Sequence, residues 1–257
     1  MGHPSRFRHP FLNEVHPIAF AHRGGASEAP ENSLAAFKNA VSLGYQFLET
    51  DVHATSDGIL VAFHDDRLDR LTDSHGIINE LTYEEVSQAL IDGREPIPTL
   101  RELLLEFPDA FFNIDAKHES SVDHLAALLT ELDCLDRVLV ASFSSTRLTE
   151  MRSWLGPRLA TSMGSRGVGL LLAAAAGFPT GRLKAVATQL PRSLFQRERF
   201  ARRILRAAHK REVAVHVWTV DDPEEMNYLL DLGVDGIMSD EIQVLKQVFQ
   251  KRGIWSP

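Results

Sequence analysis

The chain has 257 residues, 44% apolar and 24% charged, which provides for a sizeable core and an ordinary charged surface. A net charge of −8 excludes nucleic acid as the main partner, because a phosphate backbone asks for a positive surface. The one cysteine, Cys134, permits no intramolecular disulfide and, set between Leu132 and Leu135, reads as a buried inert thiol.

The first seventeen residues mix His, Pro, Arg and Asn with no apolar segment, so no secretory leader is expected. Ile18 to His22 is an apolar strand. Asn32-Ser33 supplies a cap for a helix over Leu34 to Val41, which Gly44 closes. Phe47 to Val52 is the second strand. Ser56-Asp57-Gly58 signals a tight reversal, and Ile59 to Phe63 returns from it as a hairpin, bringing position 64 opposite position 50.

Residues 65–98 break the rhythm. They are rich in Asp and Arg, hold a helix start at Leu81 to Glu85, end in Pro96-Ile97-Pro98, and read as an excursion over one end of the fold. Thr99 caps a helix through Glu106. A third strand, Phe111 to Ala116, precedes a helix near 121–132. Val138 to Phe143 is the fourth strand, Arg147 to Trp154 a helix, and Leu159 to Met163 a weaker fifth strand. The longest apolar run, Val168 to Phe178, is too short to span a bilayer and contains glycines. The sixth strand is Ala185 to Thr188, followed by a basic helix over 197–211. Val213 to Trp218 is the seventh, then a helix from Pro223 to Leu232 closed by Gly233. Val234 to Met238 is the eighth, and a last helix covers 241–250.

Strand and helix alternating to the end predict an α/β fold, a (β/α)8 TIM-type barrel in one domain over 1–257 with a small insertion after the second strand region. A doubly wound open sheet fits less well, since no Gly-x-Gly-x-x-Gly follows the first strand. With no leader and no span, a soluble cytoplasmic protein is expected.

In a barrel, sites form at the C-terminal ends of the strands, and the polar residues fall there: His22, Glu49 and Asp51, Asp115 and Lys117, and Trp218. Glu49 and Asp51, two apart on a strand, project from one face, as do Asn113, Asp115 and Lys117. Three carboxylates in one cup repel unless a cation holds them, and oxygen-only ligation suits Mg²⁺ or Ca²⁺. Asp115 has a plainer reading as a solvated or lysine-paired strand-end residue.

His22 and His64 form an acid–base pair, one ring taking a proton while the other gives one. Arg23 and Lys117 suit a phosphate anion, the first as a fork and the second as a point charge. Trp218 either walls off a small polyol or packs over the barrel end. Asn32 either caps the first helix or, with Glu31, reaches the site. His53, His118, His124 and His209 read as structural, and His216 as a core or supporting residue.

His22-Arg23-Gly24, Pro30-Glu31-Asn32-Ser33, Glu49-x-Asp51-Val52-x-x-Thr55-x-Asp57-Gly58, Val61-x-x-His64-Asp65, Asn113-Ile114-Asp115-x-Lys117 and Trp218-Thr219-Val220 together resemble the glycerophosphodiester phosphodiesterase family. The fragments stand in the family's order over about residues 18–245. The resemblance implies a TIM-type barrel with an insertion. It also implies metal-dependent hydrolysis of deacylated phospholipids to sn-glycerol 3-phosphate and an alcohol, through a cyclic phosphate. On that basis His22 and His64 are the general acid and base, and Glu49, Asp51 and Asp115 hold one divalent cation. Arg23 and Lys117 contact phosphate. The family's third ligand is usually Glu, and the shorter Asp115 stands in its place.

Two rivals remain. A lysophospholipase D-type hydrolase would use the same residues on a lysolipid, with 192–211, eight Lys or Arg against one Glu, touching an anionic membrane; the plainer and favoured reading of that segment is a solvated barrel helix. A non-catalytic binding module is opposed by the filled histidine, arginine and carboxylate positions.

Overall fold

A computed structural model describes residues 7, 9–12, 17–181 and 183–256, and in it short buried strands alternate with amphipathic helices from Ile18 onward. The expectation of no leader falls mostly on residues 1–6, 8 and 13–16, which lie outside the described residues. In chain order the strands are β1 (Ile18–Ala21), β2 (Phe47–Ala54), β3 (Leu60–Ala62), β4 (Leu90–Ile91), β5 (Glu95–Pro96), β6 (Phe111–Ala116), β7 (Val138–Ala141), β8 (Ala160–Thr161), β9 (Ala187–Pro191), β10 (Ala214–Trp218) and β11 (Gly236–Ser239). The helices are α1 (Leu34–Ser42), α2 (Tyr83–Val86), α3 (Leu100–Glu106), α4 (Ser121–Glu131), α5 (Ser145–Leu155), α6 (Ser165–Ala175), α7 (Glu198–His209), α8 (Pro223–Leu232) and α9 (Ile242–Lys251).

Eight strands pair in parallel in the order β8-β7-β6-β2-β1-β11-β10-β9. The two ends meet: Ser162 bridges Ala187, Met163 N–H donates to Ala187 O at 2.9 Å, and Val186 N–H donates to Thr161 O at 3.1 Å. The result is a nearly closed barrel with helices outside, as the alternation predicts. Between strands and helices lies the larger apolar layer, including Leu48, Val52, Phe112, Ile114, Val140 and Ile237.

A second cluster fills the barrel interior toward the strand N-termini. There the N-terminal segment acts as a plug: Phe11, fully buried, meets Phe47 and Phe111 edge-on at 5.6 and 5.8 Å. Nothing in the sequence pattern anticipates it.

The hairpin forms in the expected register, Val52 opposite Ala62 and Ala54 opposite Leu60, and Phe63 N–H donates to Asp51 O at 3.0 Å. The same pairing extends β2 past its expected end at Val52. The excursion carries a small core of its own from Val61, Phe63, Leu68, Ile78, Val86, Ala89, Ile91 and Ile97. Thr82 and Thr99 both form capping boxes, with Glu85 and Glu102.

Several strand boundaries shift, the eighth barrel strand for one running Gly236–Ser239 rather than 234–238. The sixth barrel strand is Ala187–Pro191, not 185–188, because its register is fixed by β10, Ala214 to Ala187 through Trp218 to Pro191. The basic helix spends its apolar residues inward, Phe195, Ile204 and Leu205 buried and Phe200 packed on the core.

Candidate active site

β1 delivers His22 to the barrel mouth, and the backbone then turns sharply through Arg23 (φ 50°) and Gly24 (φ 83°). A Cβ on Gly24 would lie 2.8 Å from the Ala36 Cβ, so both conformation and space require glycine. This turn aims the Arg23 N–H at Glu49 Oε2, 3.0 Å away. On the other side, Ala21 pairs with Ser239, which sets His22 beside Asp240; the imidazole Nδ1 lies 2.7 Å from Asp240 Oδ1.

Strand pairing assembles the acidic groups. Glu49 lies opposite Asn113 and Asp51 opposite Asp115. Lys117 Nζ stands between Asp51 Oδ1 (2.8 Å) and Asp115 Oδ2 (2.7 Å). Asp51 Oδ2 also accepts from Asn32 Nδ2 at 3.2 Å, and Arg23 Nε lies 3.2 Å from it. Asn32 therefore serves the site, and the cap of α1 is Ser33, which accepts from the Ala36 N–H.

His64 arrives on the return strand. Its backbone oxygen lies 3.2 Å from His53 Nε2, and its Nδ1 lies 2.6 Å from Asp65 Oδ1. His22, Arg23, Glu49, Asp51, His64, Asp115, Lys117 and Trp218 all line one cleft of about 660 Å³. The strand-end and hairpin arguments placed all of them at this mouth except Arg23, which was singled out for its affinity for phosphate. His216 is in the core against Phe20, ring centroids 4.9 Å apart, and His209 pairs with Asp235 at 2.7 Å away from the cleft.

Burial, then the neighbouring Asp51 charge, push the Glu49 carboxyl up to about 7. Asp51 moves the other way: burial alone would raise it, but the Lys117 and Arg23 cations outweigh that and lower it. For Lys117, the Asp51 and Asp115 carboxylates outweigh burial and keep the ammonium protonated well above its ordinary range. Burial would depress His22, yet Glu49 and Asp240 together raise it. The cleft thus holds closely balanced charges, with Glu49 the carboxylate least satisfied.

Among the described residues no three His, Cys, Asp or Glu side chains already form a metal cage, and Lys117 and Arg23 supply the counter-charge to Asp51 and Asp115. The donor set still suits a hard cation. Asp115 Oδ1 is buried with no hydrogen-bond partner, and Glu49 is held where its charge is costly.

Sequence reasoning missed Asp240 and Gln189. Asp240 lies two residues past the expected end of the eighth strand at Met238, and only the observed β11, which runs to Ser239 and pairs with β1, shows its closeness to His22. Gln189, whose Nε2 donates to Asn113 Oδ1 at 2.6 Å across the barrel, was lost with the misplaced sixth strand. Missed too was the apolar side of the cleft, Phe143, Met163, Val168, Leu172, Leu190 and Pro191. Phe143 meets Trp218 edge-on at 6.2 Å.

Residues 22–244 match the model of the glycerophosphoryl diester phosphodiesterase family. The chain is 37% identical over 255 residues to a probable glycerophosphodiester phosphodiesterase 2 of Mycobacterium tuberculosis, covering 95% of each. It is 30% identical over 254 residues to a glycerophosphodiester phosphodiesterase of Caldanaerobacter subterraneus, covering 92% of this chain and 99% of that one. A phosphodiesterase of Oleispira antarctica, solved in complex with the product sn-glycerol-3-phosphate, shares the fold with TM-score 0.77 at 24% identity, over 91% of this chain and 97% of that one.

Proposed function

The chain belongs to the glycerophosphoryl diester phosphodiesterase family, a family of phosphoric diester hydrolases, and we propose that it cleaves glycerophosphodiesters to sn-glycerol 3-phosphate and an alcohol. The observation that carries this reading is the convergence of two carboxylate-tethered histidines, two cations and three carboxylates on one cleft.

His22 and His64 are the acid–base pair. Each has Nδ1 tied to a carboxylate, Asp240 or Asp65, which leaves Nε2 to exchange a proton. Arg23 and Lys117 receive the phosphate, exchanging part of their contact with Asp51 and Glu31 for it. Trp218 closes the cleft over the alcohol or glycerol.

In the favoured sequence, one imidazole takes the proton of the glycerol 2-hydroxyl as that oxygen bonds to phosphorus. The other protonates the departing alcohol oxygen as its bond to phosphorus breaks. Water then opens the cyclic phosphate by the reverse proton traffic. Holding a nucleophile within the substrate itself supplies much of the acceleration. Members of the family generally depend on a divalent cation. Glu49, Asp51 and Asp115 are the residues to hold one, Mg²⁺ or Ca²⁺; when bound it supplies Lewis-acid polarisation of the phosphoryl oxygen.

Glycerophosphocholine and glycerophosphoethanolamine, followed by ³¹P NMR, test this reading. Glycerol 3-phosphate should accumulate from both, with a transient five-membered cyclic phosphate signal. A final phosphorus-containing product other than glycerol 3-phosphate contradicts it.

The apolar side of the cleft favours a second reading, a lysolipid whose acyl chain lies along Phe143, Val168 and Leu172. Release of choline from lysophosphatidylcholine faster than from glycerophosphocholine supports that reading, and the reverse order removes it.

A further inference from the structure

The excursion after the hairpin sends one cation back to the site. Arg70 ends a short turn, Leu68–Arg70, whose Leu68 is 1% exposed in the excursion's own core. From there the guanidinium grips Asp65 with two bonds, Nε to Oδ2 at 2.6 Å and Nη2 to Oδ1 at 2.9 Å. That Oδ1 is the oxygen that lies 2.6 Å from His64 Nδ1. A single longer bond, Nη2 to Glu31 Oε1 at 3.2 Å, ties Arg70 to the carboxylate that also pairs with Arg23 at 3.0 Å.

We propose that Arg70 is a positioning residue for His64, acting through Asp65; the proposal rests on the acid–base role given to His64 above. An Asp65 held by His64 alone could rotate about its side-chain bonds and let the imidazole swing. With the fork in place both oxygens are fixed, so Nδ1 has one partner and Nε2 one direction. The bond from Arg70 comes first among the causes that hold the Asp65 carboxyl well below the usual carboxylate range, so it stays ionised as an acceptor. The two short bonds to Asp65 outweigh the one long bond to Glu31, which makes His64 rather than Arg23 the group that Arg70 chiefly serves. The Arg70 side chain is 51% exposed, and ion pairs so open to water add little to stability. Its contribution is therefore to geometry.

The test is Arg70→Gln, alone and combined with His64→Ala, with glycerophosphocholine as substrate. Alone it should lower kcat about tenfold to a hundredfold, part of what a positioned acid or base supplies, with KM nearly unchanged. Tm should stay within about 2 °C of the parent. In the His64→Ala background the added loss should shrink below about threefold, since a positioning residue has nothing left to position. Arg70→Lys, a point charge without the fork, should recover part of the loss. An unchanged kcat in Arg70→Gln, an equal loss in both backgrounds, or a Tm that falls in step with kcat each overturns the proposal. Normal turnover in His64→Ala alone is read separately, since it removes the acid–base role of His64 and this proposal with it.

Discussion

His22 and His64 are each poised by a carboxylate, Asp240 or Asp65, that holds Nδ1. His22→Ala and His64→Ala should therefore each lower kcat by about a hundredfold or more while leaving the fold intact, with near-parental Tm and circular dichroism. Near-normal turnover in either variant contradicts the acid–base assignment. β6 holds Asp115 opposite Asp51, with one oxygen on Lys117 and the other unpartnered. At this scale the membership of the cleft was readable from the sequence, because His, Arg, Lys and paired carboxylates at strand ends have few structural uses. Asp240 and Arg70 were not, since their roles depend on which strands adjoin and on where the excursion folds back.

The hairpin was legible down to its register, because the alternation and a strong turn leave little choice. The sixth barrel strand was misplaced by two residues at its start, since Ala185 and Val186 look as strand-like as Ala187 and Thr188, and only pairing with β10 decides. The N-terminal plug gave no periodic signal at all, being a few large side chains at one short 3₁₀ turn, Pro10–Leu12. One of its members predicts a pH effect. His9 is 7% exposed; its Nδ1 accepts the Phe11 N–H at 3.2 Å and its Nε2 lies 3.0 Å from Arg158 O. Burial lowers its pKa despite that bond to Arg158, so the folded protein keeps it neutral. As pH falls below about 6.5 the unfolded chain binds a proton that the folded chain resists, and stability drops until the folded pKa is passed. Thermal unfolding should show Tm falling between pH 7 and pH 5, with a shallower slope in His9→Gln. Equal slopes contradict the account of the plug.

Over the whole molecule, eight short strands closing on themselves force their C-terminal ends onto one rim, and that rim collects residues from positions 22 to 240. The barrel was legible because alternating strands and helices have few solutions. The charge balance inside it was legible only in part: the lysine pairing open to Asp115 is there, whereas the joint hold of Lys117 and Arg23 on Asp51 had no signal in the sequence. Among the described residues no helix is long and apolar enough to cross a membrane. The most direct measurement is glycerol 3-phosphate released from glycerophosphocholine before and after EDTA, then with Mg²⁺ or Ca²⁺ restored. Release that chelation abolishes and a divalent cation restores is the predicted result; no release under any of these conditions, or release that EDTA leaves untouched, contradicts the account.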